Sequence, residues 1–108
     1  MSLPDLDDDD RRRALDKAAA ARRARAALKA DLREGRISLG EVLDRADHDE
    51  VVGRTKVAAV LEAVPNVGKV RAQKLMARLE ISPSRRLRGL GANQRDKLRH
   101  AFGDDRRG

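Results

Sequence analysis

No stretch of this chain alternates apolar and polar residues. Its apolar side chains recur at steps of three and four, in short runs separated by Gly and Pro, and that spacing puts them on one face of a helix rather than one face of a strand. The pattern predicts an all-α fold of one long helix followed by several short ones. The first helix is expected from Asp7, as its cap, to Glu34, with Asp8, Asp9 and Asp10 in the first turn where the helix dipole favours anions, and with Gly35 as the stop. Its apolar stripe (Ala14, Ala18, Ala21, Leu28, Leu32) is narrow and broken by Arg25, so it is expected to pack along one edge only. Ser38 with Glu41 reads as a capping box opening a helix with the stripe Leu39, Val42, Leu43 and Ala46. Val51 and Val52 give a brief turn before Gly53. Thr55 is expected to cap the next helix, with the stripe Val57, Val60, Leu61 and Val64, and Pro65 ends it. A helix to about Leu79 follows, burying Ala72, Leu75, Met76 and Leu79. Ser82 and Pro83 open a tight turn, and a last helix from about Asn93 to Phe102 buries Leu98, Ala101 and Phe102.

The core such stripes can build is aliphatic, because the 108 residues include one Phe and no Trp or Tyr. With no Cys there is no disulfide, thiolate metal site or cysteine nucleophile. No apolar run approaches the ~18–20 residues of a membrane span, and no secretory signal opens the chain, so a cytoplasmic protein is expected.

Charge is the second constraint. The formal net charge is +7. From Val51 to Gly103 twelve Lys/Arg face three acids (Glu62, Glu80, Asp96), whereas Met1 to Glu50 carries eleven against thirteen. The excess lies entirely in the C-terminal half, and one-signed charge at that density points to a polyanionic partner. The alternative is a solvated basic surface.

Two glycine-centred segments concentrate that charge. In Pro65-Asn66-Val67-Gly68-Lys69, a helix ends, Gly68 supplies a tight turn, and a new helix starts whose first N–H groups lack intrahelical partners. Such a helix start is an anion site, Lys69 adds a point charge, and Arg71, Lys74 and Arg78 share an exposed side. An ordinary helical corner is the competing reading. Arg85, Arg86 and Arg88 are the second segment. Guanidinium groups suit phosphate in bidentate geometry, and the nearest acids in sequence are Glu80 and Asp96. Leu87 is expected to anchor this turn inward, while the N–H groups of Gly89 and Gly91 are expected to approach a second phosphate. The missing aromatics leave no platform for stacking single-stranded bases, and Gln73 and Gln94 are isolated, so binding should be led by phosphates rather than base edges.

An enzyme is not expected. His48 and His100 are isolated, the four aspartates Asp7 to Asp10 point in different directions and read as a helix start rather than a metal site, and Gly68-Lys69 lacks the glycine spacing and the Ser/Thr of a P-loop. No nucleophile–base pair, metal or cofactor site is found.

Leu3-Pro4, the run from Lys17 to Arg25, Lys56 to Pro65, Val67-Gly68-Lys69-Val70-Arg71-Ala72-Gln73 and Arg85-Arg86-Leu87-Arg88-Gly89-Leu90-Gly91 together resemble the actinobacterial, mycobacterial-type integration host factors over almost the whole chain. The resemblance implies a long N-terminal helix and a helix-two-turn-helix module, shared with DNA repair glycosylases and a ribosomal small-subunit protein and unrelated to the β-ribbon integration host factor of other bacteria. It implies a nucleoid-associated protein that binds duplex DNA with little sequence preference, bends or compacts it, and assists phage integration, with a phage integrase as a further partner. Carried over by motif, Gly68, Lys69 and Arg71 with Arg85, Arg86 and Arg88 become DNA contacts. Val70, Lys74, Ser84, Gly89 and Gly91 complete the candidate surface, and Arg22, Arg23 and Arg25 on the first helix are secondary candidates. The stretch Asp8–Arg13 is more charged than the family's pattern. The expected organisation is an arm and long helix over residues 1–35, the helix-two-turn-helix domain over 36–103 and a tail over 104–108, acting as a monomer. Structured RNA bound by the same module, or a protein-binding helical bundle with incidental charge, are the alternatives.

Overall fold

The structure is a computed structural model and is described for residues 7–102; the expected arm at Met1 to Leu6 and the tail over 104–108 lie outside them. Six helices appear among the described residues: α1 (Asp8–Arg33), α2 (Leu39–Arg45), α3 (Glu50–Gly53), α4 (Val57–Ala63), α5 (Gly68–Arg78) and α6 (Ala92–Ala101), with a 3-10 turn at Leu87–Gly89. No strand is present among them; a single antiparallel bridge pairs Lys56 with Arg86.

The helix ends are set by local chemistry. The Asp7 carboxylate accepts from the Asp10 N–H at 2.7 Å and starts α1. At its far end Gly35, at φ +75°, closes a Schellman motif in which the Gly35 N–H donates to the Leu32 carbonyl and the Arg36 N–H to that of Asp31. The Arg36 side chain then clips this turn to Glu34 and Asp31, and those bonds, Glu34 first, raise its pKa above the ordinary arginine value. Ser38 and Glu41 form the reciprocal capping box, at 3.1 and 3.3 Å. Asp49 caps α3, a role the sequence reading did not assign. Val64 is extended before Pro65, as a residue preceding proline prefers.

Thr55 corrects an expectation. It does not cap α4, whose N-cap is Lys56 with no side-chain bond. Thr55 is buried, and its hydroxyl donates back to the Val51 carbonyl at 2.8 Å, a bond that satisfies a hydroxyl taken out of water.

The core runs through every described helix: Leu28 and Leu32 of α1, Leu39, Val42 and Leu43 of α2, Val52 of α3, Val57, Val60 and Leu61 of α4, Ala72 and Met76 of α5, Leu87 and Leu90 of the second turn, and Leu98 of α6. Leu75, Leu79 and Phe102 are only partly covered, and Ala101 is exposed rather than buried as expected. Two ion pairs fasten α6 to the α2 region, Arg99–Asp44 at 2.7 Å and Arg95–Asp47 at 2.9 Å. α1 packs on α4 and α3, and its two fully buried residues, Leu28 and Leu32, lie in its C-terminal third. Ala14 and Ala18, expected in its packed stripe, are exposed and Ala21 is half-buried. Twenty-six residues at ~1.5 Å each make a rod of ~39 Å, longer than the short helices it crosses can cover.

Candidate nucleic-acid interface

α4 joins the two glycine-centred turns. Its start is hydrogen-bonded to the second turn: the Val57 N–H donates to the Arg85 carbonyl and the Leu87 N–H to the Thr55 carbonyl, both at 2.9 Å. Its end runs through Pro65 into the first. The turns therefore sit at opposite ends of a seven-residue helix, ~10 Å of axis apart.

At the first turn Asn66 and Gly68 both have positive φ, +69° and +70°. This folds the chain back sharply enough for α5 to pack against α4, and Ala72 of α5 is wholly buried. No side chain caps α5, so its leading N–H groups remain available at the positive end of an eleven-residue helix. Lys69 and Val70 stand exposed beside them, Val70 at 65%. Arg71 donates to the Asn66 carbonyl at 2.8 Å, which braces the turn with one guanidinium nitrogen and leaves the others outward.

The second turn is a basic bowl. The Arg85 N–H donates to the Ser82 carbonyl at 3.0 Å and the Ser84 N–H to the Ser82 hydroxyl at 3.3 Å, closing a tight turn over Pro83. Leu87 points inward and is fully buried, as its place between arginines predicted. Above it Ser82, Ser84, Arg85, Arg86, Arg88 and Gly89 line an open cavity of about 450 Å³. The arginines are not an unattached fork. Arg86 donates to the Arg54 carbonyl, and Arg85 to the Gly89 carbonyl at 3.3 Å, each using one nitrogen. Gly89 and Gly91 also depart from expectation. Their N–H groups are engaged within the protein, Gly89 to the Arg86 carbonyl at 2.9 Å and Gly91 to the Gln94 side chain at 3.1 Å. Gly89 serves instead by being small: a Cβ there would lie 3.1 Å from the Arg85 side chain. Gln94 is not isolated, since its amide also reaches the Glu80 carbonyl at 3.2 Å.

Among the described residues, three of the twelve cations in the C-terminal half form ion pairs: Arg54 with Glu50, and Arg95 and Arg99 as above. Among the described residues no ion pair engages Lys69, Arg71, Lys74 and Arg78 on α5, or Lys56, Arg85, Arg86 and Arg88 around the second turn. Lys56 is a further candidate that sequence reasoning missed; its backbone bridge to Arg86 brings it beside the bowl. Arg22 and Arg23 are exposed and Arg25 half-buried on α1, and among the described residues no hydrogen bond links them to either turn. Among the described residues no group of three His, Asp or Glu could hold a metal ion, and no helix is long and apolar enough to cross a membrane.

Residues 32–102, which carry both turns and the short helix between them, match the family described as the S13-like H2TH domain. The full length is similar to the integration host factors of Mycobacterium tuberculosis, 58% identical over 95% of this chain and 98% of that one, and Streptomyces coelicolor, 52% identical over 95% and 96%. The chain belongs to the actinobacterial integration host factor family. In three dimensions it matches the structure of sIHF bound to an 8-base-pair palindromic DNA, with a TM-score of 0.80 at 52% identity, over 82% of this chain and 99% of that one. The family's all-α fold, expected from the motifs, is the fold observed.

Proposed function

We propose that this member of the integration host factor family binds duplex DNA through its two turns, as a monomer. One observation carries the reading: two cationic turns, with no ion pair to a carboxylate among the described residues, stand at the ends of a seven-residue helix. The α5 start with Lys69, Arg71 and Lys74 takes one stretch of phosphates, and the bowl of Ser84, Arg85, Arg86 and Arg88, with Lys56 at its edge, takes another. Gly68, Gly89 and Gly91 shape the turns, and Val70 lies against the groove between them. Such a grip reads backbone rather than base edges, so sequence preference is weak and enters through duplex deformability. Engaging phosphates at two fixed points favours bent duplexes, hence compaction of the nucleoid and assistance to phage integrase. Arg22, Arg23 and Arg25 on α1 are proposed as contacts to a second stretch of duplex. The relative bound to an 8-base-pair DNA supports the choice of ligand. We assign no catalytic role.

If about six phosphates are neutralised, log affinity falls with log salt at a slope of about −5. Arg85, Arg86 and Arg88 changed together to Ala abolish the gel shift and leave the helical circular dichroism intact; unchanged binding would place the interface elsewhere. The S13-like character of the module favours one other reading, structured RNA. Competition between duplex DNA and structured RNA at equal salt decides between them, and preference for RNA overturns the proposal.

A further inference from the structure

Between α5 and α6 lies a groove of about 1030 Å³ whose floor plays no part in the proposed DNA grip. Its floor is apolar: Val67, Leu75, Leu79 and Phe102 rest on the core by their inner edges and show their outer edges to the groove. Its rim is cationic. Arg71, Lys74 and Arg78 follow at i, i+3 and i+7 along one side of α5, ~10 Å from end to end, with Lys97 of α6 among the other lining residues. Asp96 is the one carboxylate among the described lining residues, and among the described residues no ion pair engages any of these four cations.

We propose that this groove docks an amphipathic helix of a partner protein, one with an apolar stripe flanked by Glu or Asp. The argument is complementarity on two counts. A duplex is a convex polyanion whose hydrophilic backbone would use the rim and leave the floor facing water. A helix with apolar anchors at i, i+3 or i+4 and i+7 fills the floor, and carboxylates at the same spacing on its flank meet the row of Arg71, Lys74 and Arg78. The floor alone would accept any apolar helix; the rim selects acidic ones and rejects basic ones. Arg71 and Lys74 belong to both surfaces. A docked acidic helix therefore lowers affinity for polyanions at the first turn, and the coupling is reciprocal.

The probe is a synthetic peptide of about five helical turns with Leu at the anchor positions and Glu on the flanks, titrated into the full chain at physiological salt. Its control carries Lys in place of each Glu. Saturable binding of the acidic peptide alone, with NMR shifts at Leu75, Leu79 and Phe102, is the expected result. The double variant R78Q/K97Q weakens that binding about fivefold and lowers duplex affinity by less than about threefold. Leu79→Gln, checked for retained helicity, weakens the peptide and not the duplex. Three results overturn the proposal: no saturable binding, equal binding of the Lys control, or a loss of duplex affinity in R78Q/K97Q that matches the loss for peptide, which would make the groove part of the DNA track.

Discussion

Gly68 and Glu80 adopt the same left-handed backbone for opposite reasons. At Gly68, φ +70°, a Cβ would meet nothing within 4 Å, so the whole cost of a side chain there is conformational. Gly68→Ala is expected to destabilise by about 1 kcal/mol, lowering the melting temperature by roughly 4–8 °C. Glu80, φ +58°, closes the Schellman end of α5, its N–H donating to Ala77 and that of Ile81 to Met76. Glycine is the residue this position prefers, and the Gln94 bond goes to the Glu80 carbonyl, which any residue supplies. Glu80→Gly should raise stability by about 0.5 kcal/mol, the strain relieved less the extra freedom of the unfolded chain. It also removes one of three acids from the basic half, so duplex affinity rises. Thermal unfolding and a gel shift check both. Arg86 and Arg88 separate in the same way. Arg88→Ala reduces the salt slope by about 1 at unchanged stability, whereas Arg86→Ala also loses the bond to the Arg54 carbonyl and costs roughly 0.5–1.5 kcal/mol.

Among elements, the second turn depends on a residue that touches no ligand. Leu87 is fully buried beneath three exposed arginines. Leu87→Ala is expected to cost about 3 kcal/mol through the cavity it leaves and to abolish binding with every arginine still present. Leu87→Met, of similar volume, is expected to cost less than about 1.5 kcal/mol and to retain binding. Denaturant unfolding and gel shifts on the two variants test this. The distinction between Leu87 and its neighbours was legible in the sequence, as were the Ser38 box, the Gly35 stop and the Gly68 turn, because each depends on residues within about five positions. Thr55, Lys56, Gly53 and Gln94 were not. Thr55 is read locally as a cap, yet what fixes it is the pairing of residues 55–57 with 85–87. Gly53 must be small because a Cβ would lie 2.7 Å from the Ala46 carbonyl and 3.3 Å from Arg88, partners that no spacing rule announces.

For the whole molecule, the asymmetry of charge becomes an asymmetry of shape. The described part measures 53 × 30 × 29 Å, with α1 as its long axis. Residues 8–18 of α1 are exposed apart from the half-buried Asp10, so their helicity depends on alanine content, the Asp7 cap and the Arg13–Asp10 pair rather than on packing. Amide exchange is expected to be fast over Asp8 to Ala18 and slow from Leu28 onward. Uniform protection along α1 would reveal a contact this structure lacks.

That projecting rod governs how the protein moves through liquid. The radius of gyration is 16.3 Å, against ~13 Å for a compact chain of this length. Frictional drag exceeds that of a sphere of equal mass, and tumbling is slower about the two short axes than about the rod. A gel-filtration column calibrated with globular standards will overstate the 12.0 kDa mass and make one copy elute like a larger species. Sedimentation equilibrium, which is blind to shape, is the measurement that counts the copies.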